Sequence, residues 1–214
     1  MRFGVLGTGM VGRTIASKLV SCGHEVKMGS RRAGNERALE WVASTGHGAA
    51  EGAFAEAAEF GDVVFNCTAG TASIEVVQQA GAEHFSAKVV IDVANRLEMT
   101  DHGPRLVMGE ISLAEELQRT LPEARVVKTL NTVNHQLMVE PSLLPGSHSM
   151  FVAGNDPEAK AEVIELLESF GWPAEDIIDL GDIASARAME LYLPLWIRLW
   201  QVTQAPHFNI KLVR

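Results

Sequence analysis

Six residues near the amino terminus have the types and spacing of a phosphate-binding loop. Gly7-Thr8-Gly9-Met10-Val11-Gly12 follows an apolar segment and precedes a helical pattern, so the order is strand, Gly-x-Gly-x-x-Gly, helix. In such a unit the first glycine makes a tight turn, the second lets the backbone approach a pyrophosphate, and the third lets the helix pack on the strand. The free N–H groups at the helix start also attract phosphate. The sequence therefore predicts that residues 7–12 bind the pyrophosphate of a dinucleotide.

The end of the predicted second strand indicates which dinucleotide binds. Proteins that prefer NAD place an acid there, and this acid accepts hydrogen bonds from the ribose hydroxyls. Here Gly29 is followed by Ser30, Arg31 and Arg32, which offer a hydroxyl and two guanidinium groups to a phosphate. We expect these three residues to bind the 2′-phosphate of NADP. The alternative is a solvated basic turn.

Three further predicted strands end in small or amide-bearing residues. They are followed by Thr68 and Ala69, by Ala94 and Asn95, and by Asn131. Ligands of open parallel sheets bind at the carboxyl edge of the strands, so we expect these five residues to lie along the ribose and the nicotinamide. Small residues leave space for a flat ring, and amides can bind the carboxamide. The alternative is that they are ordinary turn residues, since Gly, Asn and Thr favour turns.

Apolar runs alternate with helical patterns along the chain. This alternation predicts a Rossmann-type, doubly wound, mainly parallel sheet of the α/β class. We assign residues 1–182 to this NADP-binding domain. Within it, Ser112 and Glu115 have capping-box spacing at the start of a helix. Asp156 and Pro157 are suited to the N-cap and first position of another helix, which should run to Phe170.

Residues 183–214 form a predicted C-terminal helical appendage and tail. The last helix should run from about Ile183 to Val202 and break near Pro194. It is apolar nearly all round, with Trp196 and Trp200 among its residues, so we expect it to be buried. It covers the pocket, pairs with a second subunit, or does both, and a homodimer is the expected state.

The composition is that of an ordinary soluble protein. The 214 residues are 47% hydrophobic and carry a net charge of −9, which argues against nucleic acid or an anionic membrane as a partner. No apolar run is long enough to span a membrane, and the first strand starts at residue 2 with no leader before it, so a cytoplasmic location is expected. The histidines show no ligand pair at helical spacing, so no metal site is predicted. Cys22 and Cys67 are expected to be buried, reduced thiols.

The chain as a whole resembles the small NADPH-dependent reductases of the deazaflavin coenzyme F420, also called F420-dependent NADP oxidoreductases. The resemblance extends over nearly the full length, and its more diagnostic parts are Asn131-Thr132 and the tail Phe208-Asn209-Ile210-Lys211. The other segments that carry it are Gly7-Thr8-Gly9-Met10-Val11-Gly12, Gly29-Ser30-Arg31, Lys128-Thr129-Leu130, Met138-Val139-Glu140-Pro141, Phe151-Val152-Ala153-Gly154-Asn155-Asp156 and Asp179-Leu180-Gly181-Asp182-Ile183.

The resemblance implies a reversible hydride transfer between C4 of the nicotinamide of NADP and C5 of F420. Such a reaction needs stacked rings and excluded water and little else from side chains, so no catalytic acid or base is nominated. The resemblance further implies that the acceptor is bordered by Thr132, Val133, Asn134 and His135. His135 either donates to a carbonyl of the acceptor ring or caps the short helix that follows, and we favour the cap.

The acceptor is the open part of this interpretation, since a fold does not settle a substrate. A deazaflavin carries a phosphate and a glutamate tail, for which the candidate cations are Arg96, Arg198, Lys211 and Arg214. Two alternatives remain. One is an NADPH-dependent reductase of another acceptor, such as a flavin, a quinone, a metal chelate or an imine. The other is a non-enzymatic NADP-binding sensor.

Overall fold

A computed structural model describes residues 1–101, 103–107 and 109–213 of the chain. Within these residues the strands are β1 (Arg2–Leu6), β2 (Glu25–Ser30), β3 (Ala49–Ala53), β4 (Val63–Asn66), β5 (Val89–Asp92), β6 (Leu97–Thr100), β7 (Gly103–Leu106), β8 (Arg125–Thr129), β9 (Met150–Gly154) and β10 (Ile177–Asp179). The α-helices are α1 (Met10–Ser21), α2 (Glu36–Thr45), α3 (Phe54–Phe60), α4 (Ser73–Ala80), α5 (Leu113–Thr120), α6 (His135–Val139), α7 (Pro157–Phe170), α8 (Ala186–Leu191) and α9 (Leu193–Thr203).

Eight strands form one sheet with the order β10-β9-β8-β5-β4-β1-β2-β3. Neighbouring strands are parallel except for β8 and β9, which are antiparallel. The chain crosses from β3 at one edge back to β4 beside β1, so the strand order reverses between β1 and β4. Ligands of such folds bind at this reversal, outside the carboxyl ends of the strands. The predicted Rossmann-type, mainly parallel α/β sheet is confirmed.

The central strands are apolar because helices cover both faces of the sheet. Every residue of β4 and of β5 is buried. On one face, Phe65 and Ile91 belong to a core shared with α1, α2, α6 and α7. On the other face, Val64 and Val90 belong to a core shared with α3, α4, α5 and α8. The strand ends are thereby held rigidly at one edge of the sheet.

Two predicted helix starts are confirmed by their hydrogen bonds. Asp156 Oδ1 accepts the N–H of Ala159 at 2.8 Å at the start of α7. Ser112 Oγ accepts the N–H of Glu115 at 3.1 Å at the start of α5, and the Glu115 carboxylate accepts the N–H of Ser112 at 2.8 Å. Helix α7 ends at Phe170, as predicted.

The antiparallel hairpin of β6 and β7 was not predicted from the sequence. Its strands are short, and Glu98, Met99 and Arg105 are exposed. Pro104 also interrupts the pattern, because proline is depleted in strands. The hairpin therefore lacks the alternation of apolar residues on which the sequence interpretation depended.

The C-terminal helical segment breaks where it was predicted to break. Helix α8 ends at Leu191, and Pro194 lies in the first turn of α9. The expectation of burial holds for only one side of each helix, since Leu191 of α8 is 49% exposed and Leu195 and Trp200 of α9 are 54% and 42% exposed. No helix in the described part of the chain is long and apolar enough to cross a membrane.

Candidate functional site

The glycine loop has the geometry of a pyrophosphate-binding turn. Gly7 has a φ of 118°, a conformation that side-chain-bearing residues rarely adopt. A Cβ atom on Gly12 would lie 2.1 Å from the carbonyl oxygen of Gly7, so only glycine lets α1 begin this close to β1. Gly9 precedes α1 without a side-chain cap, and the first turn of α1 contains no acid. The N–H groups of this turn are therefore free to bind an anion.

A cavity of about 330 Å³ joins three of the predicted parts of the nucleotide site. It is lined by the glycine loop, the end of β2 and the end of β4, namely Gly7, Thr8, Gly9, Ser30, Arg31, Thr68 and Ala69. Apolar side chains that the sequence analysis did not single out complete the wall, namely Phe54, Ala72 and Val76. Phe54 begins α3 directly after the edge strand β3, and no motif marks this position.

Cys67 also lines this cavity, but its chemistry is that of an inert thiol. Burial raises the pKa of the Cys67 thiol far above its ordinary value, and the charge of Asp92 acts in the same direction. The thiol is therefore protonated at neutral pH and is a poor nucleophile. Both cysteines are unpaired; Cys67 is buried as predicted, whereas Cys22 is only half-buried.

The predicted 2′-phosphate loop exposes its two arginines. Arg31 and Arg32 are both exposed, and no carboxylate in the described part of the chain lies within ion-pair distance of either guanidinium. Ser30 is 5% exposed, and its Oγ donates to the carbonyl oxygen of Arg32 at 2.6 Å. The hydroxyl hydrogen of Ser30 is therefore engaged within the loop, while both arginines are available to an anion.

The predicted nicotinamide edge brings Asn95 and Asn131 together. Asn95 Nδ2 donates to the carbonyl oxygen of Asn131 at 2.8 Å, and Asn131 Nδ2 donates to Asn95 Oδ1 at 3.0 Å. Nearby along the sheet edge, Thr68 Oγ1 donates to Asn66 Oδ1 at 2.7 Å, and Ala94 N–H donates to Asp92 Oδ1 at 3.2 Å. The ends of β5 and β8 are thus tied directly to each other.

A buried charge network that the sequence analysis missed lies beneath this edge. Lys128 Nζ lies 2.7 Å from Asp92 Oδ2 and 3.1 Å from Glu190 Oε1, and all three side chains are at most 1% exposed. Lys128 also donates to the carbonyl oxygen of Ala94. A lysine inside an otherwise apolar strand, Val126-Val127-Lys128, was the signal for this network, because a buried lysine needs a charge partner.

The four residues predicted to border the acceptor follow β8. Thr132 and Val133 are buried, and Asn134 caps α6 by accepting the N–H of Gln136 at 3.0 Å. The Oδ1 atom of Asn131 and the Oγ1 atom of Thr132 are buried without a hydrogen-bond partner among the described residues. Such atoms are a place where a ligand group could be bound, because buried polar groups normally have partners.

His135 does not cap the helix that follows it, so that expectation was wrong. It is the first residue of α6, and the cap is Asn134. Instead, His135 Nδ1 is hydrogen-bonded to Thr14 Oγ1 of α1 at 3.0 Å. Burial lowers the pKa of the imidazole, and the nearby charge of His207 lowers it further. The side chain is thus held between α1 and α6, where a groove of about 700 Å³ opens.

The cations considered for the anionic tail of a deazaflavin differ in whether a carboxylate already pairs with them. Arg96 is paired with Glu116, and Lys211 is paired with Asp176. Arg198 has no ion-pair partner among the described residues and lines a groove of about 670 Å³ between the β6–β7 hairpin and α9. Arg214 lies outside the described residues.

The C-terminal tail runs from α9 back across the molecule. The ring of Phe208 stacks on Trp196 with centroids 5.3 Å apart, and His207 Nε2 is hydrogen-bonded to Gln136 Oε1 at 2.5 Å. Further along, Ser149 N–H donates to the carbonyl oxygen of Ile210 at 2.8 Å. The tail therefore connects α9 with α6 and with the residue before β9.

Comparison with known proteins gives matches at both family and whole-chain level. Residues 2–96 match the family described as NADP oxidoreductase, coenzyme F420-dependent. The crystal structure of a proposed F420-dependent NADP-reductase from Arthrobacter sp. FB24 is 45% identical, with a TM-score of 0.93 and all of both chains covered. The chain belongs to the F420-dependent NADP oxidoreductase family. It is therefore an NADP-dependent oxidoreductase.

Other relatives are similar at lower identity. Metalloreductase STEAP3 of Rattus norvegicus is 26% identical over 209 residues, covering 91% of this chain and 38% of the relative. The chain thus spans little more than a third of that protein. A Streptomyces aurantiacus imine reductase is 17% identical with a TM-score of 0.68, covering 95% of this chain and 64% of that chain. At this identity the similarity shows the fold alone.

Proposed function

We propose that this NADP oxidoreductase transfers a hydride between NADP(H) and the deazaflavin coenzyme F420. The observation that carries the proposal is the 45% identity to the proposed F420-dependent reductase of Arthrobacter, which extends over the whole of both chains. The similarity therefore includes α8, α9 and the tail as well as the nucleotide-binding strands. An acceptor site would differ between families in these C-terminal parts.

The residues of the nucleotide cavity fit NADP. The N–H groups at the start of α1, which no side chain caps, suit a pyrophosphate. A Cβ atom on Gly9 would meet no described residue within 4 Å, which leaves room for it. Arg31 and Arg32 suit the 2′-phosphate because neither forms an ion pair with a carboxylate among the described residues. Bound NADPH supplies the hydride from C4 of its nicotinamide.

The role of the protein at the reacting rings is to position them and exclude water. Thr68, Ala69, Ala94 and Asn95 lie at the strand ends where the nicotinamide and its ribose are expected, and the mutual hydrogen bonds of Asn95 and Asn131 fix that edge. A hydride transfer gains most of its rate from holding the two rings in contact, so no side chain is assigned as a general acid or base.

The acceptor is proposed to lie against the segment Thr132, Val133, Asn134 and His135. Asn131 Oδ1 and Thr132 Oγ1 are buried oxygen atoms with no hydrogen-bond partner in the described ranges, and they are available for a polar group of the acceptor ring. The lowered pKa of His135 keeps its imidazole neutral at pH 7, so it would contribute a hydrogen bond rather than a charge. Arg198 remains for the anionic tail, since Arg96 and Lys211 are already paired.

We further propose that the protein is a cytoplasmic homodimer in which residues 183–214 act as a unit against the domain of residues 1–182. Leu191, Leu195, Trp200 and Val202 are between 42% and 66% exposed on α8 and α9. Exposed apolar side chains on a helical segment are stabilised when a second copy covers them. Light scattering at micromolar concentration should give twice the mass of the chain, and a Trp200→Glu variant should shift toward monomer. A monomeric wild type would refute the dimer.

The decisive experiment for the activity is stopped-flow mixing of the protein, NADPH and oxidised F420, following loss of the deazaflavin absorbance. FMN and a ferric chelate serve as parallel acceptors, the second because of the similarity to the metalloreductases. Rapid bleaching of F420 alone supports the proposal. Reduction of FMN or iron with F420 unchanged would assign a different acceptor, and tight NADPH binding with no transfer would favour a sensor.

A further inference from the structure

We propose that Glu51 is a positioning residue that sets the preference of the NADP site for NADPH over NADH. It is not one of the residues predicted to contact the nucleotide. Its carboxylate accepts the backbone N–H of Gly34, with Oε1 at 3.1 Å and Oε2 at 3.0 Å from the nitrogen. Gly34 ends the loop that carries Arg31 and Arg32. We infer that this contact holds the loop in the shape that binds the 2′-phosphate. The inference rests on the proposed NADP site.

Glu51 reaches the loop from the neighbouring strand. It lies on β3, the edge strand of the sheet, and its Cα pairs with that of Met28 on β2. The loop begins where β2 ends, at Ser30, and must turn sharply to enter α2. Gly34 takes a φ of 80° in this turn. The hydrogen bond from Gly34 to Glu51 therefore anchors the far end of the loop to the sheet.

The near end of the loop is closed by a second contact. Ser30 Oγ donates to the carbonyl oxygen of Arg32 at 2.6 Å, and Ser30 is nearly buried. Arg31 and Arg32 thus lie between two fixed points, one made by Ser30 and the other by Glu51. A loop fixed in its binding shape loses less conformational entropy when the ligand binds, which increases affinity.

The carboxylate binds the backbone and leaves the arginines free. In the described part of the chain Glu51 forms no ion pair with Arg31 or Arg32, since no ion pair of either arginine is found there. An acid next to a phosphate site would weaken binding if it neutralised the guanidinium groups. Because the role of Glu51 is to accept an N–H, a neutral acceptor of the same size should replace it. Glutamine is such a residue.

The test compares Glu51→Ala with Glu51→Gln by titration calorimetry with NADPH and with NADH. Glu51→Ala should raise the Kd for NADPH about fivefold, the effect of losing one net hydrogen bond, and leave the Kd for NADH within about twofold. Glu51→Gln should keep both constants within about twofold of wild type. Glu40→Ala, which removes an exposed acid from α2, controls for the change in charge.

Three results would overturn the inference. Unchanged NADPH binding by Glu51→Ala would show that the contact is dispensable. Equal losses for NADPH and NADH would show a general effect on the fold. Tighter NADPH binding by both Glu51 variants would show that the carboxylate opposes the phosphate through its charge. Wild-type protein is titrated first, and if it does not prefer NADPH over NADH, the 2′-phosphate site itself fails, a result distinct from the other three.

Discussion

Lys128 Nζ and Asp92 Oδ2 lie 2.7 Å apart with both side chains completely buried beneath the predicted nicotinamide edge. The pair joins β8 to β5. Glu190 of α8 adds a second carboxylate, and its oxygens accept the N–H groups of Leu113 at 3.0 Å and Ala114 at 3.3 Å in the first turn of α5. The positive end of that helix helps to stabilise the extra negative charge. The C-terminal segment is thereby connected to the strand ends by charge as well as by packing.

Replacing Lys128 with methionine should destabilise the protein strongly. The change leaves Asp92 and Glu190 buried without a cation, which typically lowers the free energy of unfolding by about 3–5 kcal/mol. Urea unfolding followed by circular dichroism measures it. Glu190→Gln should have a smaller effect, because the amide oxygen still accepts an N–H and the network loses its one excess negative charge, leaving a neutral Lys128–Asp92 pair. A Lys128→Met variant as stable as wild type would contradict this account of the network.

The local structure around the candidate site was predictable from the sequence. The glycine loop, the caps at Ser112 and Asp156, and the arginines after β2 each depend on residues within a few positions of one another. The glycine loop and the caps depend on backbone N–H groups at helix starts, and Arg31 and Arg32 directly follow a strand, so a local sequence pattern displays each of them. The central strands were predictable for a similar reason, since runs such as Val63–Asn66 are buried on both faces.

The parts that depend on distant residues were not predictable. Lys128 appears as one residue of a motif, and nothing in the sequence indicates that Glu190 of a later helix lies 3.1 Å from it. Glu51 is similarly separated from Gly34 by a whole helix. The role of His135 was misjudged because its partner, Thr14, is on α1. In each case the sheet order brings together residues that no local pattern relates.

Alanine at Arg31 should weaken NADPH binding much more than NADH binding. One charge-assisted hydrogen bond to the 2′-phosphate contributes about 1.5–3 kcal/mol, which corresponds to about a 10- to 100-fold rise in the Kd for NADPH. Arg32→Ala should act in the same direction, and Arg37→Ala on the exposed side of α2 serves as the control. Equal losses for the two nucleotides would show that the arginines do not bind the 2′-phosphate.

Alanine substitutions at two glycines of the loop should have different effects, one on NADPH affinity and the other on the stability of the fold. A Cβ atom on Gly9 meets no atom of the described residues within 4 Å, and φ there is −74°, so Gly9→Ala should fold normally. It should still lose about tenfold or more in NADPH affinity, because the added methyl group occupies the approach of the pyrophosphate. Gly12→Ala should instead lower stability by about 1–3 kcal/mol, since α1 must move away from Gly7. Thermal unfolding and NADPH titration of both variants measure the contrast, and a Gly9→Ala variant with normal affinity would place the pyrophosphate elsewhere.

The ion pair between Asp176 and Lys211 of the tail should make the stability of the protein fall at acid pH. Burial acts to raise the pKa of Asp176, but hydrogen bonds from Lys211 and Ser147 outweigh it and hold the pKa below its usual value. A carboxyl whose pKa is lowered in the folded state stabilises that state above its unfolded pKa of about 3.9. This contribution is lost as the pH falls through the lower, folded-state pKa.

Asp176→Asn should therefore be less stable than wild type at pH 7, and the difference should shrink as the pH approaches 3. Urea unfolding of both proteins across this range gives the two curves. Lys211→Met tests the same contact from the tail. Its stability should converge on that of wild type in the same direction, because the ionised Asp176 carboxylate that Lys211 contacts is lost as the pH falls through its lowered folded-state pKa. A constant difference between wild type and Asp176→Asn at all pH values would mean that the side chain acts through packing and that its charge does not hold the tail.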